Sequence, residues 1–244
     1  MRGKREIRQA EIAHGKWLLD NDPIAQWGWG TPAGQLRAKR RSELIALGGG
    51  LTHGSKVLEV GCGTGMFTEW FAQTGANILA VDLSGDLLAK ARDRNLPSHQ
   101  VTFQEIPFEE CEERGPFDAV IGSSVLHHLD CKATLSKIFD LLCPGGMLSF
   151  CEPNLLNPQV WFCLKFRKYF PEYSPGETAF VRWVIARQLE AAGFSNIKIT
   201  PFDWLHPAIP KRLIPAVKRI EWVCERTFGI REFSGSLSIV AQKP

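Results

Sequence analysis

The sequence predicts an α/β protein built on a mostly parallel β-sheet with helices on both faces. Two observations predict this class. Short runs rich in valine, isoleucine and leucine alternate with helix-length segments between residues 56 and 152, which is typical of parallel strands joined by helical crossovers. The first of these runs leads into a loop with glycine at positions 61, 63 and 65, which predicts a turn from strand to helix beneath a ligand.

The elements follow in order along the chain. Residues 1–50 are helical and amphipathic, with Thr31 and Pro32 as cap and first helical position and three glycines at 48–50 as the end of the helix. Strands are predicted over residues 56–60, 78–81, 101–103, 119–122 and 147–151, with helices over 66–73, 85–94 and 131–142 between them. A helix over 179–192, a strand over 196–200, a helix from 213 and a strand over 236–241 follow.

These elements predict one domain made of three segments. Residues 1–50 form an N-terminal helical cap, and residues 51–152 form the ligand-binding core. Residues 153–244 supply the helices of a lid and the last strands of the same sheet. A chain of 244 residues with 44% hydrophobic content is long enough to bury one such core.

The composition predicts an ordinary globular protein of the cytoplasm. Charged residues make up 23% of the chain and the net charge is only +3, so no nucleic-acid partner is expected. The seven cysteines are an odd number without a Cys-x-x-Cys pair, which predicts reduced thiols rather than a disulfide frame or a metal site. The basic N-terminus is not followed by an apolar run of the kind a signal peptide requires, and no run is long enough to span a membrane.

The glycine loop predicts a ligand that carries a carboxylate or a phosphate. Loop amides and a helix N-terminus favour an anion. A dinucleotide loop would need a third glycine where Met66 stands, and a phosphate-binding P-loop would need Lys-Ser/Thr after Gly65. Neither pattern fits. Asp82 ends the second strand, where a carboxylate can accept hydrogen bonds from both hydroxyls of a ribose.

Four segments then occur in a diagnostic order. VLEVGCGTG, VDLS, IGSSVLHHL and LLCPGGMLSFCEPN resemble the motifs of class I S-adenosylmethionine (SAM)-dependent methyltransferases of the small-molecule, type 11/12-like group. The resemblance is strong over residues 36–152 and weaker in the tail. It implies a Rossmann-like sheet of seven strands, SAM as cofactor and S-adenosylhomocysteine as its product.

The resemblance implies roles for the glycine loop and the residue before it. Glu59 is expected to face the amino group of the cofactor, directly or through water. The loop is expected to wrap the methionine part with Gly61, Cys62, Gly63 and Gly65. Cys62 is expected to be a small packing residue rather than a nucleophile.

The resemblance also implies contacts to the nucleoside and the sulfonium. Asp82 is expected to bind the ribose and Leu83 to lie against adenine, while Ser123 and Ser124 line the pocket near the sulfonium. Members of the group usually carry an acid after the third strand for the adenine amino group. The stretch VTFQEIPFEE has no acid in register, so Gln104 or the residue after it is expected to take that place.

Two histidines are the candidates for acid–base chemistry. Methyl transfer from a sulfonium is an in-line displacement that depends on alignment and exclusion of water. A base is needed where the acceptor must lose a proton, as a hydroxyl does. His127 and His128 follow the fourth strand, and we favour His128 over His127 as the base. Glu152, at the end of the fifth strand, is a second pocket candidate; the alternative for both histidines is a structural role.

These features predict O-methylation of a small-molecule or lipid-like acceptor. Its site is expected to use aromatic and basic residues that suit an apolar body with a negative group: Trp27, Trp29, Arg37, Arg40, Arg41, Trp161, Arg167, Tyr169 and Trp183. A quinone- or polyprenyl-type methyltransferase at the membrane surface is one alternative, and a non-catalytic SAM-binding regulatory or scaffold protein is another. The oligomeric state stays open.

The helix from residue 213 also has two interpretations. Its positions 213, 217, 220, 224 and 227 fall on one face. With its many lysines and arginines, the helix either makes peripheral contact with an anionic membrane surface or covers the sheet. We favour the second interpretation.

Overall fold

The computed structural model describes residues 4–111, 115–170, 173–174 and 176–244, and it confirms the predicted fold class. The first three residues of the predicted cap lie outside this range. A seven-stranded sheet has the order β3-β2-β1-β4-β5-β7-β6. Its strands are β1 Lys56–Val60, β2 Asn77–Asp82, β3 Val101–Glu105, β4 Phe117–Ser123, β5 Leu142–Pro153, β6 Ser195–Phe202 and β7 Ser236–Gln242. Strands β1 to β5 pair in parallel, and β7 runs antiparallel between β5 and β6.

Helices precede, connect and follow the strands. They are α1 Lys4–Asp20, α2 Pro23–Gln26, α3 Pro32–Gly48, α4 Met66–Ala72, α5 Gly85–Arg92, α6 Cys131–Leu141, α7 Pro158–Lys165, α8 Arg182–Ala191 and α9 Ile214–Arg226. Helix α3 begins where the sequence predicts, because Thr31 Oγ1 accepts the Gly34 N–H at 3.0 Å and Pro32 needs no partner for an N–H. Within the described residues, no helix is both long and apolar enough to cross a bilayer.

Two apolar layers cover the two faces of the sheet. Leu58 and Val60 of β1 point into one layer, whereas Val57 points into the other. This alternation explains why a central parallel strand is apolar at nearly every position, since both of its faces are covered. Fully buried side chains such as Phe150 and Phe71 each stabilise the fold by about 1.5–3 kcal/mol.

The strand order places a crevice at the carboxyl ends of β1 and β4. The chain proceeds outward from β1 through β2 to β3 and then returns to the other side of β1 with β4. Helices leave the sheet in opposite directions at this switch point, and open α/β sheets bind their ligands there. The glycine loop follows β1, and Ser123 ends β4, so both face this crevice.

Helix α9 does not cover the sheet with the face that the sequence predicts. Leu213 is 46% and Ile220 is 59% exposed, so the prediction that they belong to an inward face is wrong. The helix packs through Ile214, which contacts Ala33 of α3 and Leu205, and through Val217, a member of the predicted face that packs against the same cluster. The physical reason is that charged side chains, described below, occupy the inward positions.

Candidate active site

The glycine loop has a backbone that only glycine adopts without strain. Gly61 and Gly63 have φ values of +67° and +53°, a region costly for residues with a Cβ. A Cβ on Gly61 would also collide with the Val125 side chain. At Gly63 the nearest atom to such a Cβ is Trp27 Cη2 at 3.7 Å. The loop is therefore fixed on its inner side and open toward the crevice.

Asp82 ties the second strand to this loop. Its Oδ2 accepts the Gly63 N–H at 2.8 Å, and its Oδ1 accepts the Ser84 N–H at 2.9 Å. Burial raises the pKa of Asp82, while these amide bonds act in the opposite direction. The half-buried carboxylate lines the crevice beside Leu83. It can therefore organise the loop and still offer lone pairs to a ligand.

Glu59 is a buried acid beside this loop. The residue is 2% exposed, and its Oε2 has no hydrogen-bond partner in the described part of the chain. Burial raises the pKa of Glu59 to about 8, and the nearby charge of Asp82 adds to the rise. A buried carboxyl group of this kind ionises readily only when a cation lies near it. Glu59 does not itself line the cavity described below, so the ammonium group of a ligand there would act on it through water or across the glycine loop.

A cavity of about 1500 Å³ opens at this crevice. Most of the predicted site residues line it: Gly61, Cys62, Gly63, Asp82, Leu83, Ser123, Ser124, His127 and His128. Gly65 does not line it, since its role is to let α4 begin close to Ala91 of α5, 2.9 Å from where a Cβ would stand. Cys62 is 6% exposed and burial raises its pKa, which agrees with a packing thiol.

The structure does not bring Gln104 to the cavity. Gln104 lies within β3, and its Oε1 is buried without a partner among the residues described. Strand β3 extends to Glu105, and residues 106–110 line the cavity beyond it. This edge therefore offers a flat base the apolar side chains of Leu83 and Ile106, with the acids Glu109 and Glu110 further along the same segment.

The end of β4 is held by an arginine from α3. Arg41 is 3% exposed, and its Nη1 donates to Ser124 Oγ at 2.9 Å and to the Cys151 carbonyl at 3.0 Å. Ser124 has a positive φ of 55°, which is uncommon for a non-glycine residue and is held here by these bonds. Arg41 fixes the backbone turn between β4 and the two histidines.

His127 is locked between two carboxylates. Its Nδ1 lies 2.6 Å from Glu152 Oε2, and its Nε2 lies 3.6 Å from Glu177 Oε1. Burial alone would lower the pKa of His127, but Glu152 and Glu177 raise it to about 9. The imidazole therefore already holds its proton at neutral pH, which argues against His127 as a base. Glu152 is fully buried and does not line the cavity.

His128 is the more accessible of the pair. Its side chain is 22% exposed and lines the cavity. Its Nδ1 lies 3.2 Å from Glu11 Oε2 and 3.3 Å from Ser174 Oγ, and Ser174 Oγ donates to Glu11 Oε1 at 2.7 Å. Burial raises the pKa of Glu11, but the hydrogen bond and charge of His128 lower it more. The result is a carboxylate that orients the imidazole of His128.

Three side chains in this region offer ligand atoms of the kind that bind metals. The atoms of His127, His128 and Glu177 lie within 4.8 Å of one another. A proton on His127, shared with Glu152 and Glu177, accounts for the same arrangement, so we assign the cluster no metal.

A basic and aromatic wall closes the other end of the cavity. Arg37 donates to both carboxylate oxygens of Asp203 at 2.7 Å. Arg37 and Arg41 lie 5.3 Å and 5.7 Å from the ring centre of Trp29. All four residues line the cavity. Of the other residues predicted here, Trp27 also lines the cavity and Arg40 pairs with Glu225 outside it. The remaining four are exposed and do not line it: Trp161, Arg167, Tyr169 and Trp183.

The comparisons with known proteins agree with this geometry. Residues 58–148 match the family described as a methyltransferase domain. This part of the chain is therefore similar in sequence to a methyltransferase domain. A possible histamine N-methyltransferase of Thermotoga maritima has the same fold, with a TM-score of 0.69 at 15% identity over 94% of this chain and 97% of its own. The N-methyltransferase NodS of Bradyrhizobium japonicum, solved with S-adenosylhomocysteine, has a TM-score of 0.59 at 18% identity, covering 88% of this chain and 89% of its own.

One relative adds information from sequence. A ubiquinone biosynthesis O-methyltransferase of Idiomarina loihiensis is 34% identical over 157 residues. The match covers 59% of this chain and 64% of the relative's length, so about a third of the relative is unmatched.

Sequence reasoning named Glu152 but missed the other residues that hold the two histidines. Glu11 and Ser174 are 163 positions apart and meet only in the folded chain. Glu177 and Asp203 lie in segments without a periodic pattern, and no local signal marks them. The wall was indicated only by composition, through Trp27, Trp29 and the three arginines that stand within five positions of α3.

Proposed function

We propose that the chain binds SAM and transfers its methyl group to an oxygen of a small-molecule or lipid-like acceptor. The observation that carries this proposal is the combination of an open glycine loop, Asp82 bound to it, and the buried Glu59, whose Oε2 has no hydrogen-bond partner among the described residues. A dinucleotide or a nucleoside triphosphate would leave Glu59 without a cation, whereas the amino group of a methionine derivative supplies one.

Different residues of the site are proposed to contact different parts of the cofactor. SAM supplies a methyl group carried on a sulfonium. Amides of the loop and the N-terminus of α4 suit its carboxylate, Glu59 suits its ammonium, and Asp82 has lone pairs for the ribose hydroxyls. Leu83, Ile106 and Pro107 offer an apolar slot for the base. Ser123 and Ser124 stand at the end of β4, where we place the acceptor.

His128 is proposed to take the proton of the acceptor hydroxyl. It lines the cavity, and Glu11 holds its Nδ1 so that Nε2 is left for the acceptor. Glu11 is negatively charged and stabilises the imidazolium that forms. His127 and Glu152 act beneath it as a rigid support, because Glu152 Oε1 also accepts the N–H groups of Val125 and Leu126 at 3.0 Å.

The acceptor we propose is an aromatic hydroxyl compound. A quinone- or polyprenyl-type compound is the alternative acceptor. Trp27, Trp29 and Leu18 line the cavity and suit an apolar body. The relative named as a ubiquinone biosynthesis O-methyltransferase supports this class. The excess of two guanidinium groups over one carboxylate at Arg37, Arg41 and Asp203 suits an acceptor with an anionic oxygen.

The test is methyl transfer with labelled SAM. We expect the full chain to move label into small phenolic compounds or a lipid extract, and protein alone to stay unlabelled. Binding of S-adenosylhomocysteine without labelled product would favour a non-catalytic SAM-binding protein. Absence of binding, together with binding of NAD, would overturn the proposal.

The His128→Gln variant separates chemistry from binding. General bases typically contribute about 100- to 10,000-fold to rate, so turnover is expected to fall by at least about 100-fold. Affinity for S-adenosylhomocysteine, measured by calorimetry, is expected to stay within about twofold, since His128 is assigned to the acceptor. The exposed His99 offers a matched control as His99→Gln. Wild-type turnover in His128→Gln would remove that residue from the mechanism.

Binding of S-adenosylhomocysteine is expected to release about one proton at pH 7. Glu59, with its pKa raised to about 8, is mostly protonated at that pH, and an ammonium beside it would lower the pKa and expel the proton. Calorimetry in buffers of different ionisation enthalpy measures this number. Glu59→Gln should abolish the release, and the exposed Glu43→Gln should not. Equal release in wild type and Glu59→Gln would contradict the assignment.

We further propose how the segments and the compartment serve this activity. Residues 1–50 and 153–244 contribute Glu11, Trp29, Asp203 and their neighbours to the acceptor side of a core at 51–152, within one domain. Seven free thiols support a reducing compartment such as the cytoplasm.

A further inference from the structure

Helix α9 and its flanking turns carry apolar side chains on the outside of the molecule. We define the outer face of α9 by five residues that are exposed by 46% to 88%: Leu213, Ile220, Trp222, Val223 and Phe228. An ordinary surface helix buries such residues and exposes its charges. Large aromatic and aliphatic side chains that cluster at the surface indicate an interaction site.

The acids of the same segment point inward. Glu221 and Glu225 lie 3.0 Å and 2.7 Å from the guanidinium of Arg40 on α3, and Glu221 is 5% exposed. Glu221 Oε1 also accepts the Trp204 N–H at 3.0 Å. Glu232, after the helix, lies 2.8 Å from Arg182. Every acid between residues 211 and 233 is thus turned toward an arginine of the domain.

The cations of the segment remain on the outside. Five of them are exposed: Lys211, Arg212, Lys218, Arg219 and Arg226. The Arg226 guanidinium lies 4.2 Å from the ring centre of Trp222, a contact that keeps an aromatic ring and a cation together at the surface. The outer face of α9 is therefore apolar and positive, with its negative charges withdrawn.

We propose that the outer face of α9 docks on the surface of a membrane that contains anionic phospholipid. Apolar side chains among lysines and arginines insert at the boundary of head groups and acyl chains, while the cations meet the lipid phosphates. A second copy of this chain would place cations against cations, so charge complementarity favours the lipid surface. Tryptophan and arginine are both suited to this interface.

The docking face is continuous with the wall of the cavity. Trp204, His206, Pro207 and Ala208 line the cavity, and Lys211 follows three residues later. Thr31 Oγ1 donates to the Pro207 carbonyl at 2.8 Å, which fixes this strip to α3. This inference rests on the proposed function and limits the class of acceptor to lipid-borne compounds. Such a compound would reach the cavity from the membrane without crossing water.

Vesicle co-sedimentation of the full chain tests the docking face. Binding to phosphatidylcholine vesicles that contain phosphatidylglycerol is expected to exceed binding to pure phosphatidylcholine by at least about tenfold, and to weaken as salt is raised. Equal binding to both vesicles, or binding to neither, would overturn the proposal.

Two variants and one control locate the contact. Lys218→Glu with Arg219→Glu is expected to lose at least about tenfold in vesicle binding, and Trp222→Ser with Phe228→Ser to lose binding without any change of charge. Lys90→Glu with Arg92→Glu makes the same charge change on exposed positions of α5, beside β2 and β3, and should retain binding. Equal loss in this control would mean that net charge, and not the outer face, attracts the lipid.

Two further measurements separate the outcomes. Light scattering without lipid should give the mass of one chain for wild type and for the double variant Trp222→Ser with Phe228→Ser. If wild type has a larger mass and the double variant does not, the outer face of α9 binds a second copy of the chain, and lipid docking is overturned. Affinity for S-adenosylhomocysteine should be the same in the α9 variants and in wild type. Absence of that affinity in wild type would refute the proposed function and leave vesicle binding to stand alone.

Discussion

The Asp82→Ala variant is expected to bind S-adenosylhomocysteine at least about 100-fold more weakly than wild type, because two hydrogen bonds to a charged group are worth about 1.5–3 kcal/mol each. The structure adds a second loss, since Asp82 Oδ2 also accepts the Gly63 N–H and so shapes the glycine loop. Calorimetry or equilibrium dialysis measures the change.

Two variants isolate the carboxylate. Asp82→Asn keeps one oxygen for the Gly63 or Ser84 amide but lacks the charge, so it should fall between wild type and Asp82→Ala. Asp86→Ala removes an exposed acid from the first turn of α5 and should leave affinity unchanged. Unchanged affinity in Asp82→Ala would refute both the ribose contact and the need for an ordered loop.

The Glu152→Ala variant is expected to lose about 3–5 kcal/mol of unfolding free energy, because it leaves His127 buried with an unbalanced charge. The same change strips Val125 and Leu126 of the acceptor for their N–H groups. Glu152→Gln retains the size and an acceptor oxygen, so its loss should be smaller. Urea denaturation measures both, and equal stability of Glu152→Ala and wild type would contradict the role of this pair.

The same pair predicts how stability depends on pH. The pKa of His127 is raised from its ordinary 6.5 to about 9 in the folded protein. Its contribution is therefore complete below about pH 6.5 and is lost as the pH rises through 9. The buried Glu59 acts in the same direction up to about pH 8, since folding favours its protonated form. The urea concentration at the unfolding midpoint should decrease as the pH is raised from 6.5 to 9. This decrease should be less steep in Glu152→Gln than in wild type.

The cofactor side of the site could be predicted from sequence because its signals are local. Gly61, Gly63 and Asp82 stand at the ends of two short β-branched runs, and a backbone with positive φ permits few residues other than glycine. Gln104 could not be placed in the same way, because β3 continues to Glu105 and the next two residues reach the cavity instead.

For the acceptor side of the site, the sequence predicted only which types of residue line it, aromatic and basic, and not how they are arranged. Glu11 and Ser174 orient His128 from positions 163 residues apart, and no spacing rule connects them. The inward face of helix α9 was predicted wrongly for a related reason. Its apolar period indicates an inward face, but Arg40 draws Glu221 and Glu225 inside, and two ion pairs determine the rotation of the helix.

Neighbouring arginines of α3 serve two different places. Arg40 anchors α9 through its acids, and Arg41 holds Ser124 at the end of β4. One turn of α3 thus sets the distance between the outer face of α9 and the end of β4, where we place the methyl acceptor. A displacement of α9 cannot be absorbed by a flexible hinge there, so the orientation of the whole protein at a surface would fix the angle at which the acceptor arrives.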